Sequence, residues 1–275
     1  MYKVHVNDII NLREKTGFGI FDCKKALIEM EGDFEKSLDL LRKNSKNKAY
    51  SLYDNKQNLK HGILLCKVNS NNKKGIIIGI NSETDFVAKN DLFIKLANEI
   101  SERAIYCNYK EEVLASFIGD RSIKEILLEH IKIIGEKLTF SIFETLESSF
   151  VEKYVHHGNK IAGLIGLSAT TSGVHIIGKD LAMQVVAMNP IAIKEEDFPN
   201  KIISKEKEII EEQEHRIGKS NDLIEKIVQG KIKKFICDNT LLCQKWIKNQ
   251  KITVQNYLKE FNSNITIIGF KRFSL

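Results

Sequence analysis

The sequence predicts an α+β protein with antiparallel sheets, and three observations carry that expectation. The apolar period is helical over the first forty-odd residues, it gives way to β-branched-rich runs from His61, and a strand-strand-helix order returns about ninety residues later. With 275 residues, 43% of them hydrophobic and 28% charged, the chain has apolar material for a packed core, which excludes a disordered polymer. At about 150 residues per domain the length calls for about two domains. The expected division is a three-helix module over 1–50, a linker over 51–60, one core subdomain over 61–145 and a second, similar one over 146–275. The second carries a helical hairpin inserted at 198–232.

In chain order, Asn7 is the expected cap of a helix bearing Ile9, Ile10 and Leu12, which the Thr16-Gly17-Phe18-Gly19 turn breaks. A second helix starts at Ile20, with Ile20, Cys23, Leu27 and Met30 near one face, and stops at Gly32. Asp33 then caps a third carrying Phe34, Leu38 and Leu41. Residues 44–60 are polar and weakly periodic, as a linker is. Gly62–Asn69 and Gly75–Asn81 flank a polar turn at Ser70–Lys74 and read as a β-hairpin. Phe93, Leu96, Ala97 and Ile100 then fall at helical spacing, on a helix that covers the sheet.

Val151–His156 and Lys160–Ser168 repeat the paired strands, and Asp180–Met188 the covering helix; the similarity lies in pattern more than in residue identity. Ile203, Ile210 and Ile217 recur every seven residues, Gly218-Lys219-Ser220 supplies a turn, and Leu223, Ile224, Ile227 and Val228 form a second stripe. Together they predict an antiparallel helical hairpin whose Lys and Glu positions face solvent. Tyr257, Leu258 and Phe261 suggest another helix and Ile265–Phe273 a last strand.

The 42 Lys+Arg against 36 Asp+Glu leave a net charge of +6, compatible with either nucleic acid or an acidic protein. No apolar run approaches the ~18 residues of a spanning helix, and the N-terminus lacks the apolar core of a signal peptide, so the expectation is a cytoplasmic protein that does not cross a membrane. The five cysteines read as buried, reduced thiols. Cys237 and Cys243 are the only close pair, with five residues between them and no histidine nearby, so the spacing of known zinc sites is missing and no metal is expected.

Several of these stretches coincide with one family. TGFGIFDCKKAL at Thr16–Leu27, NSETDFVAKN at Asn81–Asn90, YVHHGNKIAGL at Tyr154–Leu164, DLAMQVVAMNP at Asp180–Pro190, GKIKKF at Gly230–Phe235 and the closing GFKRF, in this order, resemble elongation factor Ts. The resemblance implies a UBA-like N-terminal module and a coiled-coil hairpin. It also implies a guanine-nucleotide exchange factor that binds the translational GTPase elongation factor Tu and speeds GDP release, making and breaking no substrate bond and needing no cofactor. Carried over by position, Thr84, Asp85, Phe86 and Val87 form the segment associated with dislodging the Mg²⁺ that the GTPase holds beside its nucleotide. Ile20, Phe21 and Lys24 belong to a first partner contact, and His156 to a contact with a β-barrel domain. Ile20-Phe21 replaces a pair often occupied by methionines, Gln184 stands where histidine is common, and Lys160 where arginine is common.

The residues support a parallel physical account. Thr84 falls where a strand ends and a helix begins, so its hydroxyl can cap the next turn and fix the geometry of Asp85 and Phe86. By default such a pair is only a cap and Phe86 packs beneath it; the resemblance is what turns the segment toward a partner. His156-His157 lacks an acidic partner or third ligand at a telling spacing. A basic RNA-binding protein of the translation apparatus is the alternative, although the interleaved aromatics of an RNA-recognition sheet and the GXXG of a KH loop are missing. No P-loop or nucleophile-base arrangement speaks for an enzyme.

Overall fold

A computed structural model describes residues 4–16, 18–41, 43–44, 59–216, 221–261 and 264–275. Three helices come first: α1 (Val6–Thr16), α2 (Ile20–Glu29) and α3 (34–41). They bury Ile9, Leu12, Cys23, Ala26, Leu27, Leu38 and Leu41 in a cluster of their own. Asn7 is not the cap: α1 already starts at Val6, and the amides of Asp8 and Ile9 bond back to the His5 carbonyl. After α2 the chain reverses through Glu31 and Gly32, both at positive φ, where the amide of Gly32 reaches the Leu27 carbonyl. Most of the expected linker lies outside the described residues.

The rest of the chain contains β1 (His61–Val68), β2 (Lys74–Ser82), α4 (Asp85–Ala88), α5 (Asp91–Ala104), α6 (Lys110–Ala115), the short pair β3 (Phe117–Ile118) and β4 (Arg121–Ser122), α7 (Ile123–Ile134) and β5 (Leu138–Glu147). It continues through β6 (Phe150–Val155), β7 (Ile161–Leu167), α8 (Val174–Met188), α9 (Asn200–Arg216), α10 (Asn221–Asp238), β8 (Lys245–Trp246), β9 (Asn249–Thr253), α11 (Val254–Phe261) and β10 (Ile267–Ser274). Two three-stranded antiparallel sheets result, ordered β1-β2-β5 and β6-β7-β10. Each is a hairpin whose second strand becomes central when a strand from beyond the helices pairs with its free edge. The expected strand-strand-helix repeat is therefore incomplete: the unit closes only with β5 or β10. β5 and the preceding α7 were not foreseen.

The two sheets pack face to face and carry helices on their outer sides. Alternation along β1 and β2 sends Ile63, Ile76, Ile78 and Ile80 to α5 and α7, while Leu64, Cys66 and Ile77 meet Val151, Ala162 and Leu164 of the second sheet. A Cβ on Gly75 would lie 2.7 Å from Val151 Cγ1, so this glycine allows the close approach of the sheets. On the far side α8 packs against β6 and β7 with Val174, Ile177, Leu181, Ala182 and Val185, joined by α11 residues. That helix begins at Val174, well over one turn before the expected Asp180.

Helices α9 and α10 pack on each other through Ile210, Ile224 and Val228, with Ile232 partly buried against them. Ile209, next to Ile210 in the chain, is exposed. α10 runs to Asp238, past the expected end at 232, so the returning helix is continuous with the chain leading to β8. The expected turn at 218–220 and the stripe residue Ile217 lie outside the described residues. Buried Glu214 is paired with Lys231 Nζ at 2.6 Å. Cys23, Cys66 and Cys107 are buried, but Cys237 and Cys243 are only half-buried, which corrects the expectation of five buried thiols. Cys237 lies at the end of α10 and Cys243 in the turn that follows, where the hairpin rejoins the sheet-bearing part. No helix among the described residues is long and apolar enough to cross a membrane.

Candidate functional site

The end of β2 delivers the chain directly into a tight turn. Ser82 Oγ donates to the Thr84 carbonyl at 2.8 Å, and Thr84, in extended backbone, caps the four-residue helix α4 by accepting from the amide of Val87 at 3.4 Å. A second clamp, absent from the sequence-based expectations, comes from Glu136. Its carboxylate accepts from the Thr84 hydroxyl at 2.9 Å and from the Thr84 amide at 3.2 Å. Glu136 is put there by the end of α7, where Gly135 takes the left-handed conformation at φ 79° and turns the chain toward β5. Nothing local in the sequence signals the pairing, because 52 residues separate the partners.

The four motif residues divide by direction. Val87 is buried in the cluster beneath α5 and anchors the turn. Phe86 points out and is 83% exposed, an apolar ring held over solvent by a rigid turn. Thus the default expectation that Phe86 packs beneath its cap is wrong for this fold. Asp85 is half-buried, and Lys89 Nζ approaches its Oδ2 at 2.7 Å; that hydrogen bond and the ammonium charge hold its carboxyl below the usual range.

A second surface comes near this turn. Lys160, at the start of β7, donates to the Gly62 carbonyl at 2.8 Å. Burial lowers its pKa and the nearby Asp85 carboxylate opposes that effect, so the β6–β7 turn and the Thr84 turn share one electrostatic neighbourhood. Leu64 N also bonds the Asn159 carbonyl at 2.7 Å, tying the turn to the first strand. His156 is exposed on the same turn, its Nδ1 3.4 Å from the Tyr154 hydroxyl. Lys160 is thus turned inward onto the fold. Gln184 is fully buried on α8, its amide donating to the Lys245 carbonyl at 3.1 Å and its oxygen accepting from Ile247 N at 2.9 Å. Asp180, another motif residue, is also used internally: it accepts from Tyr257 at 2.9 Å and pairs with Lys248.

In the N-terminal helices, Ile20 is 54% and Phe21 85% exposed at the start of α2, and Lys24 is exposed one turn on. Ile20 therefore does not share the buried face of Cys23 and Leu27. Among the described residues, large apolar side chains are exposed at several helix starts: Ile20-Phe21 and Phe86, and also Val6 of α1, Leu92 of α5 and Ile176 of α8.

The sequence model of the family described as Elongation factor TS matches residues 83–275, from the Thr84 turn to the last strand. The chain belongs to the elongation factor Ts family. Among curated relatives, Elongation factor Ts of Christiangramia forsetii is 42% identical over 275 residues, covering all of both chains. That of Flavobacterium psychrophilum is 41% identical, again over both whole chains, and that of Amoebophilus asiaticus 38% over 98% of each. Full-length similarity to elongation factor Ts proteins includes the N-terminal helices that the family model leaves unmatched.

Proposed function

We propose that this protein is a guanine-nucleotide exchange factor that binds elongation factor Tu in its GDP form and promotes GDP release, in a cytoplasmic setting. The observation that carries the proposal is Phe86, a large apolar ring displayed on a turn locked by Thr84 and Glu136. Burying such a ring in a partner contributes roughly 1.5–3 kcal/mol, and its rigidity lets that energy distort the partner instead of being lost in ordering the turn. Asp85 is brought with it as an ionised carboxylate and acts indirectly on the water and backbone around the Mg²⁺ that neutralises phosphate charge. Ile20, Phe21 and Lys24 make a separate contact from a UBA-like module. His156 contributes to a third contact with a barrel domain. The α9–α10 pair serves as a projecting coiled-coil hairpin of the second subdomain.

In this role the chain holds no reacting group and needs no cofactor; it shifts affinities. The test is stopped-flow release of fluorescent GDP from the cognate GTPase with and without the protein. Acceleration that saturates with factor concentration is expected. Unchanged release, together with salt-steep retention on RNA, would replace this function with RNA binding.

A further inference from the structure

Three donor atoms that the exchange function does not use meet where the helical hairpin rejoins the fold. Glu195 lies in the 3₁₀ turn Glu195–Asp197 just ahead of α9, Cys237 in the last turn of α10, and Cys243 in the turn leading to β8. The thiol sulfurs and a carboxylate oxygen all lie within 4.8 Å of one another. Cys243 Sγ is 3.1 Å from Glu195 Oε1, and Cys237 Sγ is 3.7 Å from the Cys243 carbonyl.

The main chain fixes this convergence. Ile191 N bonds the Asn239 carbonyl at 2.8 Å, Leu241 N the Ala192 carbonyl at 2.9 Å, and Leu242 N the Ile193 carbonyl at 3.2 Å, around a parallel bridge between Ala192 and Thr240. Thr240 N bonds Cys237 O and Cys243 N bonds Thr240 O, which closes the thiol-bearing turn. The strand-like segment that carries Glu195 is therefore laced to the segment that carries both cysteines. Only side-chain torsions remain to be set.

Two sulfurs and one carboxylate form a donor set for a thiophilic divalent cation. Magnesium and calcium require oxygen ligands, whereas zinc accepts sulfur at about 2.3 Å and carboxylate oxygen at about 2.0 Å in a tetrahedron. Those bond lengths place donors roughly 3.5–3.8 Å apart, within about 1 Å of the separations present, a change that small χ rotations supply. A disulfide between the two thiols would leave Glu195 without a role.

We propose that Glu195, Cys237 and Cys243 form a three-ligand site for a thiophilic divalent cation, zinc foremost, with water in the fourth position, clamping the base of the α9–α10 hairpin. Binding releases the two thiol protons to solvent and involves no change of oxidation state. The cation spans the incoming and outgoing ends of the hairpin and fixes the angle at which it leaves the fold.

The test uses the full chain, reduced and stripped with chelator, then titrated with Co²⁺ and competed with Zn²⁺. One equivalent of Co²⁺ should produce thiolate-to-cobalt charge-transfer absorption that Zn²⁺ abolishes and a large excess of Mg²⁺ does not. Cys237→Ser and Cys243→Ser should each reduce that absorption by about half, and the double variant should lose it. Glu195→Gln, an exposed substitution that leaves the core untouched, should keep both thiolate bands but weaken Co²⁺ binding at least tenfold. Absence of a charge-transfer band at one equivalent would overturn the proposal. So would a band that survives the double variant, because it would then come from Cys23, Cys66 or Cys107.

Discussion

The Glu136 carboxylate accepts both the hydroxyl and the amide of Thr84, at 2.9 and 3.2 Å, and so joins the turn after β2 to the end of α7. The cap of α4 is thereby a three-part device: Glu136 holds Thr84, Thr84 holds Val87 N, and Phe86 between them has nowhere to relax. A helix of four residues has almost no intrinsic stability, so the rigidity of its exposed ring depends on these bonds.

Replacing Glu136 with alanine should therefore act at a distance from the partner. We expect an intact fold with a loss on the order of 1–3 kcal/mol, the usual cost of unpairing a charge-assisted hydrogen bond, and about tenfold slower stimulated GDP release. Glu136→Gln should recover part of the rate because its amide oxygen still accepts from Thr84. Equal rates for wild type and Glu136→Ala would show that the turn holds itself.

That relationship also marks where sequence reasoning stops. The hairpin β1–β2 and the second hairpin were legible as apolar runs bounded by polar turns, and the helix over Phe93–Ile100 and the α9–α10 stripes because apolar residues recur at helical spacing. β5 was not legible: along Leu138–Glu147 only Leu138 and Phe140 are buried, against the helices, while the rest of the strand is half-buried or exposed, so apolar and polar residues mix. The Thr84 motif was legible as a cap, yet its clamp was not, since Glu136 is an ordinary acidic residue after a glycine. The meeting of Glu195 with Cys237 and Cys243 escaped for the same reason: spacing along the chain carries no trace of a bridge formed between Ala192 and Thr240.

Gly178 offers a test of helix-sheet packing. It lies inside α8, where alanine is intrinsically better by about 1 kcal/mol. An added Cβ, however, would sit 2.7 Å from Glu152 Cβ and 3.2 Å from Phe150 Cε1 on β6, and overpacking of this kind costs typically 1–3 kcal/mol. The strand backbone cannot yield as a flexible side-chain tip would, so packing wins. Gly178→Ala should lower the urea midpoint without changing the denaturant slope. A raised midpoint would mean that α8 shifts freely on the sheet.

Alkaline pH should expose the sheet-sheet interface. Burial between the sheets pushes the Cys66 thiol from its ordinary 9.0 up to about 12, against the opposing pull of Lys153. Because the folded-state value is raised, this contribution to stability is complete below about pH 9 and is lost as pH climbs from there toward 12. Cys66→Ala should be less stable at pH 7, through a small cavity, yet lose less stability between pH 9 and 11. Burial raises Cys23 and Cys107 as well, so a residual slope is expected. Urea midpoints measured at several pH values would decide; parallel curves for wild type and variant would exclude Cys66 as a source.

Phe86 carries the strongest consequence for exchange. By linkage, any binding energy that the factor uses to distort the nucleotide site must appear equally as weakened GDP affinity, so the distorting contact should be small, stiff and apolar. Phe86 has these properties, and its ring makes no contribution to the core that its loss would remove. Phe86→Ala should leave the fold unchanged and cost on the order of 2 kcal/mol at the interface, as central aromatic contacts often do. On the proposed function, GDP release should slow far more than total binding weakens, because the Ile20-Phe21 contact and the His156 turn would still anchor the partner while the ring is the main element coupled to the nucleotide. The two effects separate in stopped flow at saturating factor, where weakened binding no longer limits the rate. If Phe86→Ala then released GDP as fast as wild type, coupling would have to come from Asp85 or from the N-terminal helices, and the exposed ring would be an anchor only.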